Sequence, residues 1–174
     1  MSKKNNLDTQ IVICGRGGQG VLFLTRLLDE SAIMMRCNVI SSETHGMAMR
    51  GGSVASHIRI GNYESPLIPA GAGDILLAAN EHEVPFNMHL MKKEAQIFIN
   101  ASVRRHNSIH AEKIARLLGS PMVTNLVLLG FASAHADFPF QYAHIYKILE
   151  KMSPSKAREM NLRAFTEGYQ TAAN

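Results

Sequence analysis

The sequence predicts an α/β domain: a mostly parallel sheet, one antiparallel or edge strand, and a helical C-terminus. Three observations carry this. A short apolar run at Ile11–Cys14 passes straight through a glycine cluster into a helical pattern. Further short apolar runs then alternate with helical stretches or loops, as in a wound sheet. From His110 onward, each periodic stretch repeats at three and four, the spacing of a helix.

With 174 residues the chain is long enough for one domain, 1–174, with a substantial core. Charged residues make up only 18%, which leaves surface free for a sizeable protein interface. The net charge of +4 is spread out, with Lys3-Lys4, Lys92-Lys93 and Arg104-Arg105 as the adjacent basic pairs. Nucleic-acid binding calls for a concentrated basic patch with interleaved aromatics, and Trp is absent. The first ten residues are polar and no apolar run is long enough to span a bilayer, so the expected location is the cytoplasm, without membrane contact. Cys14 and Cys37 have no metal-ligand or C-x-x-C spacing, and Cys14 reads as a buried thiol.

Taken in order, residues 1–9 read as a frayed tail and Ile11–Cys14 as a central strand. Val21, Leu22, Leu24, Leu27, Leu28, Ala32 and Met35 mark one face of a helix from Gln19 to Met35. Asn38–Ser41 is a second strand, closing a β-α-β unit. Glu43–Ser53 has neither period and reads as an irregular glycine-rich loop, the kind of segment that usually carries function. Val54–Ile60 alternates as a half-buried antiparallel or edge strand, with His57 on the face opposite Val54, Ser56 and Ile58. Tyr63–Gly73 is turn-rich. Asp74–Ala79 is a buried strand, His82–Lys92 a helix with Pro85 in its first turn, and Gln96–Asn100 the next strand. Segment 101–110 is polar and irregular. Helices follow at His110–Leu118 and Met122–His135, then two more in 140–174, at Phe140–Met152 and Ser155–Thr171, with Ser153 available as a cap.

The candidate site lies in the two glycine-rich stretches. Gly15, Gly17 and Gly20 have the G-x-G-x-x-G spacing between a strand and a helix. One glycine permits a tight turn, one a close backbone approach, one the packing of helix on strand. The N–H groups of Gly18, Gln19 and Gly20 would then face an anion at a helix N-terminus. Glu43 stands 23 residues beyond Gly20, where dinucleotide sites place a ribose-binding acid. Arg50 and the surrounding loop N–H groups would meet phosphate or a partner carboxylate. Two other readings stand beside these: a crossover that binds nothing, and a Glu43–Arg50 pair that merely pins the loop. Glu81 and Glu83 fall at a strand end, where they either meet a ligand or charge the next helix N-terminus. His106 and His110 read as solvated loop histidines. No Lys-Ser or Lys-Thr follows the glycines, and G-x-S-x-G and H-E-x-x-H are both missing. The residues offer binding loops without a catalytic engine.

Four segments resemble one family along the whole chain: GRGGQGV from Gly15, ETHGMAMRGGSVASHIRIG from Glu43, SPLIPAGAGDILLA from Ser65 and NLRAFTEGYQ from Asn161. Together they are similar to the gamma subunit or domain of the 2-oxoacid:acceptor oxidoreductases, such as the pyruvate, ketoisovalerate, 2-oxoglutarate and indolepyruvate ferredoxin oxidoreductases. The E-T-H-G form looks most like the indolepyruvate branch. Met49 replaces the family's usual Gln, and the stretch Asn80–Pro85 departs from its E-P-x-E.

The resemblance implies a Rossmann-like three-layer domain and a noncatalytic subunit. The complex would oxidatively decarboxylate a 2-oxoacid with coenzyme A and pass electrons to ferredoxin. It further implies that thiamine diphosphate, Mg2+ and iron–sulfur clusters reside on partner subunits, with no cofactor assigned to this chain alone. The candidate contact residues are Gly15, Gly17, Gly18, Gln19, Gly20, Glu43, Thr44, His45, Gly46, Arg50, Gly51 and Gly52. A homodimer of the isolated chain would hide the same partner-facing surface. The alternative is a free-standing nucleotide- or dinucleotide-binding protein.

Overall fold

A computed structural model describes residues 7–45, 51–103 and 106–173. Its centre is β1 (Thr9–Arg16), buried along nearly its full length, as the apolar run demands. After it come α1 (Val21–Met34), β2 (Val39–His45), β3 (Ser53–Ile60) and β4 (Gly73–Ala78). Residues 81–90 form two 3-10 turns around a single α turn, α2 (Val84–Asn87). The chain continues through β5 (Met91–Asn100), β6 (Ser108–Ile109), α3 (Ala111–Leu117), α4 (Thr124–Ser133), α5 (Tyr142–Met152) and α6 (Ser155–Ala173).

The strands make one six-stranded sheet in the order β2-β3-β1-β4-β5-β6. β1, β4, β5 and β6 run parallel to one another, and β3 runs antiparallel to both neighbours, β1 and β2. The α/β class, the mostly parallel sheet and the helical C-terminus are therefore as expected. The antiparallel strand is internal, between β1 and β2, and not at an edge.

The two faces of the sheet are unequal. Ile11, Ile13, Ile58 and Phe98 pack into a large cluster with α1, α4, α5 and α6. On the other face Val12, Cys14, Leu76 and Ala78 form a smaller cluster with Ile68, Met91, Ala72, β5 side chains such as Ile97 and Ile99, and the short turns around Val84 and Leu90. The large layer is pinned where α4 crosses α6. A Cβ on Gly130 would stand 1.9 Å from the Phe165 carbonyl oxygen, and one on Gly168 would stand 2.0 Å from that of Val127. Only glycines let the two backbones meet so closely.

Four expectations are corrected. Thr9 already belongs to β1, and Asp8 accepts a hydrogen bond from the Tyr63 hydroxyl, so the tail cannot reach residue 9; residues 1–6 lie outside the described ones. The helix expected over 82–92 is mostly turns. The Asn87 side chain bonds the Glu83 carbonyl at 2.8 Å, competing with a continuing helix. β5 consequently starts at Met91, which pairs with Gly73. Glu43, Thr44 and His45 are strand residues, paired with Ser56, Ala55 and Val54, because β3 supplies a ladder for them. Segment 101–110 contains β6, drawn in by the edge of β5.

Candidate functional site

β1 and β4 are parallel neighbours whose chains leave in opposite directions. α1 turns to the large cluster through Val21 and Leu24, while residues 81–90 turn to the thin face through Val84 and Leu90. A crevice opens at such a switch point, beyond the carboxyl ends of the strands. The first glycine loop borders it, and Gly51 and Gly52 at the end of the second stretch reach that loop.

The first loop is held by its own groups. The Gln19 side-chain carbonyl accepts from the Arg16 N–H at 2.7 Å, and the Gln19 N–H donates to the Arg16 carbonyl at 3.0 Å. Gln19 is thus a staple of the turn, and its N–H is not free to meet an anion. Gly18 and Gly20 have left-handed backbones, with φ of 94° and 74°. A side chain at Gly20 would run into Asn125, whose Nδ2 donates to the Gly20 carbonyl at 3.2 Å. Gly15 packs against Ala79 and Val21, where a Cβ would meet each at 3.1 Å. The N–H groups of Val21, Leu22 and Phe23 begin α1 ahead of its first intrahelical bond, Leu24 N–H to the Gly20 carbonyl at 3.1 Å.

The second stretch reaches the first through its end. The Gly17 N–H donates to the Gly52 carbonyl at 2.9 Å, and a Cβ on Gly17 would meet the Gly51 nitrogen at 3.3 Å. The close approach permitted by Gly17 is therefore one loop on the other. Gly46 and Arg50 lie outside the described residues, as does any Glu43–Arg50 pair.

Glu43 is not placed for a dinucleotide. β3 stands between β2 and β1, so Glu43 is two strand spacings from β1, roughly 10 Å. It shares the helical face with Ser41 and with Asp29 of α1. Burial pushes the Asp29 carboxyl above the ordinary range, the Ser41 hydroxyl partly opposes that at 2.8 Å, and the charges of Glu30 and Glu43 add to the rise.

Arg16, inside the first motif, and Glu83, beyond it, shape the crevice. Arg16 is half-exposed, and its Nε donates to the buried Glu83 carboxylate at 3.4 Å, across the gap between β1 and the turn after β4. Burial, with help from the Glu83 charge, pushes the Cys14 thiol up to about 12, so this thiol is inert. Over the start of α1 a cavity of about 560 Å³ is lined by Arg16, Arg26, the glycine loop and the apolar side chains of Val21, Leu22, Phe23 and Val54. A tighter space of about 230 Å³ lies on the other side of the loop, between Gly18, Gln19, Ala79, Asn100 and Asn125. Sequence spacing pointed to the loop but missed Arg16, Arg26 and Asn125. Arg16 directly follows the first glycine of the motif, the one signal available; Asn125 comes from 105 residues away.

The other flagged residues are structural. His57 is buried in β3 and its Nδ1 accepts from the Ile68 N–H at 3.0 Å. Burial, with a smaller push from His89, holds its pKa below the usual histidine value. Glu81 accepts from the Ser102 hydroxyl at 3.3 Å. His106 and His110 are exposed, and the described residues contain no His, Cys, Asp and Glu group able to hold a metal ion. No helix among them is long and apolar enough to cross a membrane.

A family model described as pyruvate ferredoxin/flavodoxin oxidoreductase matches residues 10–171. The chain belongs to that family. The match takes in both glycine loops, the crevice between them and the crossing of α4 with α6. Among relatives, the chain is similar to indolepyruvate oxidoreductase subunit IorB of Methanothermobacter thermautotrophicus, 32% identical over 96% of this chain and 99% of that one. The fold of the family is seen in the gamma subunit of a keto/oxoacid ferredoxin oxidoreductase from Geobacter sulfurreducens, with a TM-score of 0.77 and 23% identity, covering 95% of this chain and 98% of that chain. It recurs within a longer chain, 2-oxoglutarate:ferredoxin oxidoreductase from Magnetococcus marinus, where the likeness covers 99% of this chain but 32% of that one, with a TM-score of 0.78 and 19% identity. Membership of this family does not support the free-standing dinucleotide-binding alternative, and the displaced Glu43 argues the same way.

Proposed function

We propose that this chain is a noncatalytic gamma-type subunit of a 2-oxoacid:ferredoxin oxidoreductase, of the indolepyruvate branch. The observation that carries the reading is the end-to-end likeness to an indolepyruvate oxidoreductase subunit, 96% of one chain against 99% of the other. The assembled enzyme would convert a 2-oxoacid and coenzyme A to acyl-CoA and carbon dioxide, releasing two electrons for ferredoxin. Thiamine diphosphate with Mg2+ would supply the decarboxylation chemistry and iron–sulfur clusters the electron path, both held by partner subunits.

This chain would border the coenzyme A side of the active site. The cavity over α1 suits an anionic group on a partly apolar carrier. Arg16 and Arg26 offer guanidinium groups, the first turn of α1 offers N–H donors, and Val21, Leu22, Phe23 and Val54 give an apolar wall. Glu83 orients Arg16 by taking its Nε, which leaves the terminal nitrogens for a ligand. Gly51 and Gly52 complete the rim through the bond from Gly17. Gly46, Arg50 and the paired strand residues Glu43 to His45 continue from this rim along the sequence, and we retain them as candidates for partner contact.

The test is capture of a tagged chain from its native cell under anaerobic conditions. Recovery with thiamine- and cluster-binding subunits in fixed ratio is the expected result, along with no turnover by the chain alone. A chain recovered without such subunits that binds NAD or ADP saturably would overturn the reading.

A further inference from the structure

The bonds that hold the first glycine loop come from two sources. The Gln19 side chain returns to the Arg16 N–H, and the Gly17 N–H donates to the Gly52 carbonyl, so both stay within the glycine-rich stretches. The other source is α4. Asn125 stands in the first turn of that helix, and its Nδ2 donates to the Gly20 carbonyl at 3.2 Å. Its Oδ1 accepts from the Leu126 N–H at 2.9 Å. That N–H is one of the donors a helix start leaves over, and Val123 at the cap position has no polar side chain to take it. A reversed amide would set oxygen against carbonyl and NH2 against N–H, so the two bonds fix the orientation of the side chain.

The bond from Asn125 meets the loop at its exit. The Gly20 carbonyl also accepts from the Leu24 N–H at 3.1 Å, the first bond inside α1. This carbonyl and the Val21 N–H belong to one planar peptide unit, so fixing the first fixes the direction of the second. The Val21 N–H is a donor at the start of α1, and Val21 lines the cavity there. Gly20 itself adds no stiffness, with its left-handed backbone at φ 74°. A Cβ at Gly20 would overlap the Asn125 amide, so the close approach is built into both residues. Asn125 is 5% exposed and both ends of its amide are engaged, so it acts on a ligand through Gly20 and not by contact.

We propose that Asn125 is a positioning residue of the glycine crevice: through the Gly20 carbonyl it aims the first N–H groups of α1 at the anion that Arg16 and Arg26 meet. The α4–α6 crossing is then the frame against which the loop is set, from 105 residues away in sequence. This rests on the coenzyme A reading above, and the test separates the two.

The experiment uses the purified complex carrying Asn125→Ala in this chain. The KM for coenzyme A should rise about two- to tenfold, the worth of one hydrogen bond, with kcat near the parent value. Without coenzyme A, amide exchange at Leu24 should quicken by about the same factor, because opening the first turn of α1 no longer breaks the bond to Asn125. Asn125→Asp keeps an acceptor for the Leu126 N–H but offers the Gly20 carbonyl no donor, so Leu24 exchange should quicken while α4 stays capped. Asn161→Ala removes a bond of the same kind in the scaffold, from Nδ2 to the Ser153 hydroxyl at 3.0 Å, and should lower the melting temperature without moving KM or Leu24 exchange. A KM raised by Arg26→Ala but not by Asn125→Ala overturns this inference and leaves the coenzyme A reading intact. A KM that neither variant moves overturns both. Equal shifts from Asn161→Ala and Asn125→Ala would show general loosening, and overturn the positioning role.

Discussion

Glycines do opposite work in two regions of this protein. At the α4–α6 crossing, Gly130 and Gly168 are glycine because another backbone occupies the place of the side chain. In the loops, Gly18 and Gly51 are glycine for their left-handed backbone, and among the described residues a Cβ at either would meet nothing within 4 Å. The first pair is closed by the fold. The second leaves room above it. Space that the fold itself does not fill is where a ligand or partner can approach the backbone, so the loops are read as site and the crossing as scaffold.

The crossing should break first. Gly130→Ala or Gly168→Ala must push two helices apart, at a cost of about 3 kcal/mol. A urea midpoint should fall accordingly, and a shift under about 1 kcal/mol would mean that the crossing yields easily. Gly18→Ala meets no neighbour among the described residues, and its cost of about 1–2 kcal/mol comes from the left-handed backbone. If the contrast holds, activity of the assembled enzyme falls more than stability does for Gly18→Ala, and stability falls more than activity per folded molecule for the crossing.

The first glycine motif was legible as a tight strand-to-helix turn, but what each of its residues does there was not. Spacing located Gly15, Gly17 and Gly20, since a strand, a tight turn and a helix leave a local pattern. It did not reveal that Gln19 turns back onto Arg16 or that Gly17 meets Gly52, because both depend on how the loops fold over each other. Glu43 looked like a ribose ligand by its distance in sequence, and the insertion of β3 beside β1 carried it away. The helix expected after β4 stopped early for a local reason at Asn87, compounded by the pairing of Met91 with Gly73. The helices from residue 110 onward were read well: α5 has one clear apolar face, and α4 is apolar enough to be buried all round from Asn125 to Ser133. The C-terminal segment of the family resemblance turns out to belong to the scaffold: Ala164 and Phe165 are fully buried and Gly168 makes the crossing.

A smaller effect should separate the thin face from the thick one. The neutral His57 imidazole accepts from Ile68 and ties the 62–72 segment to β3. Its folded pKa lies below the unfolded one, so the unfolded chain takes up the proton first. Stability from this group is therefore unaffected above the unfolded pKa, declines as the pH falls below about 6.5, and levels off below the folded value. His57→Gln keeps an acceptor without a titrating group, and the variant should lose less stability than the parent between about pH 7 and pH 5. Equal losses would show that His57 does not govern this segment.

The most direct measurement is the coenzyme A dependence of the purified complex carrying Arg26→Ala or Arg16→Lys in this chain. Arg26 is exposed, and Lys at position 16 keeps a positive charge beside Glu83, so neither change should disturb the fold. Loss of a charge-assisted contact of about 1.5–3 kcal/mol predicts a KM for coenzyme A raised roughly ten- to a hundredfold, with assembly and melting temperature nearly unchanged. An unchanged KM in a complex that assembles normally would contradict the account and leave the glycine crevice as a surface for subunit docking alone.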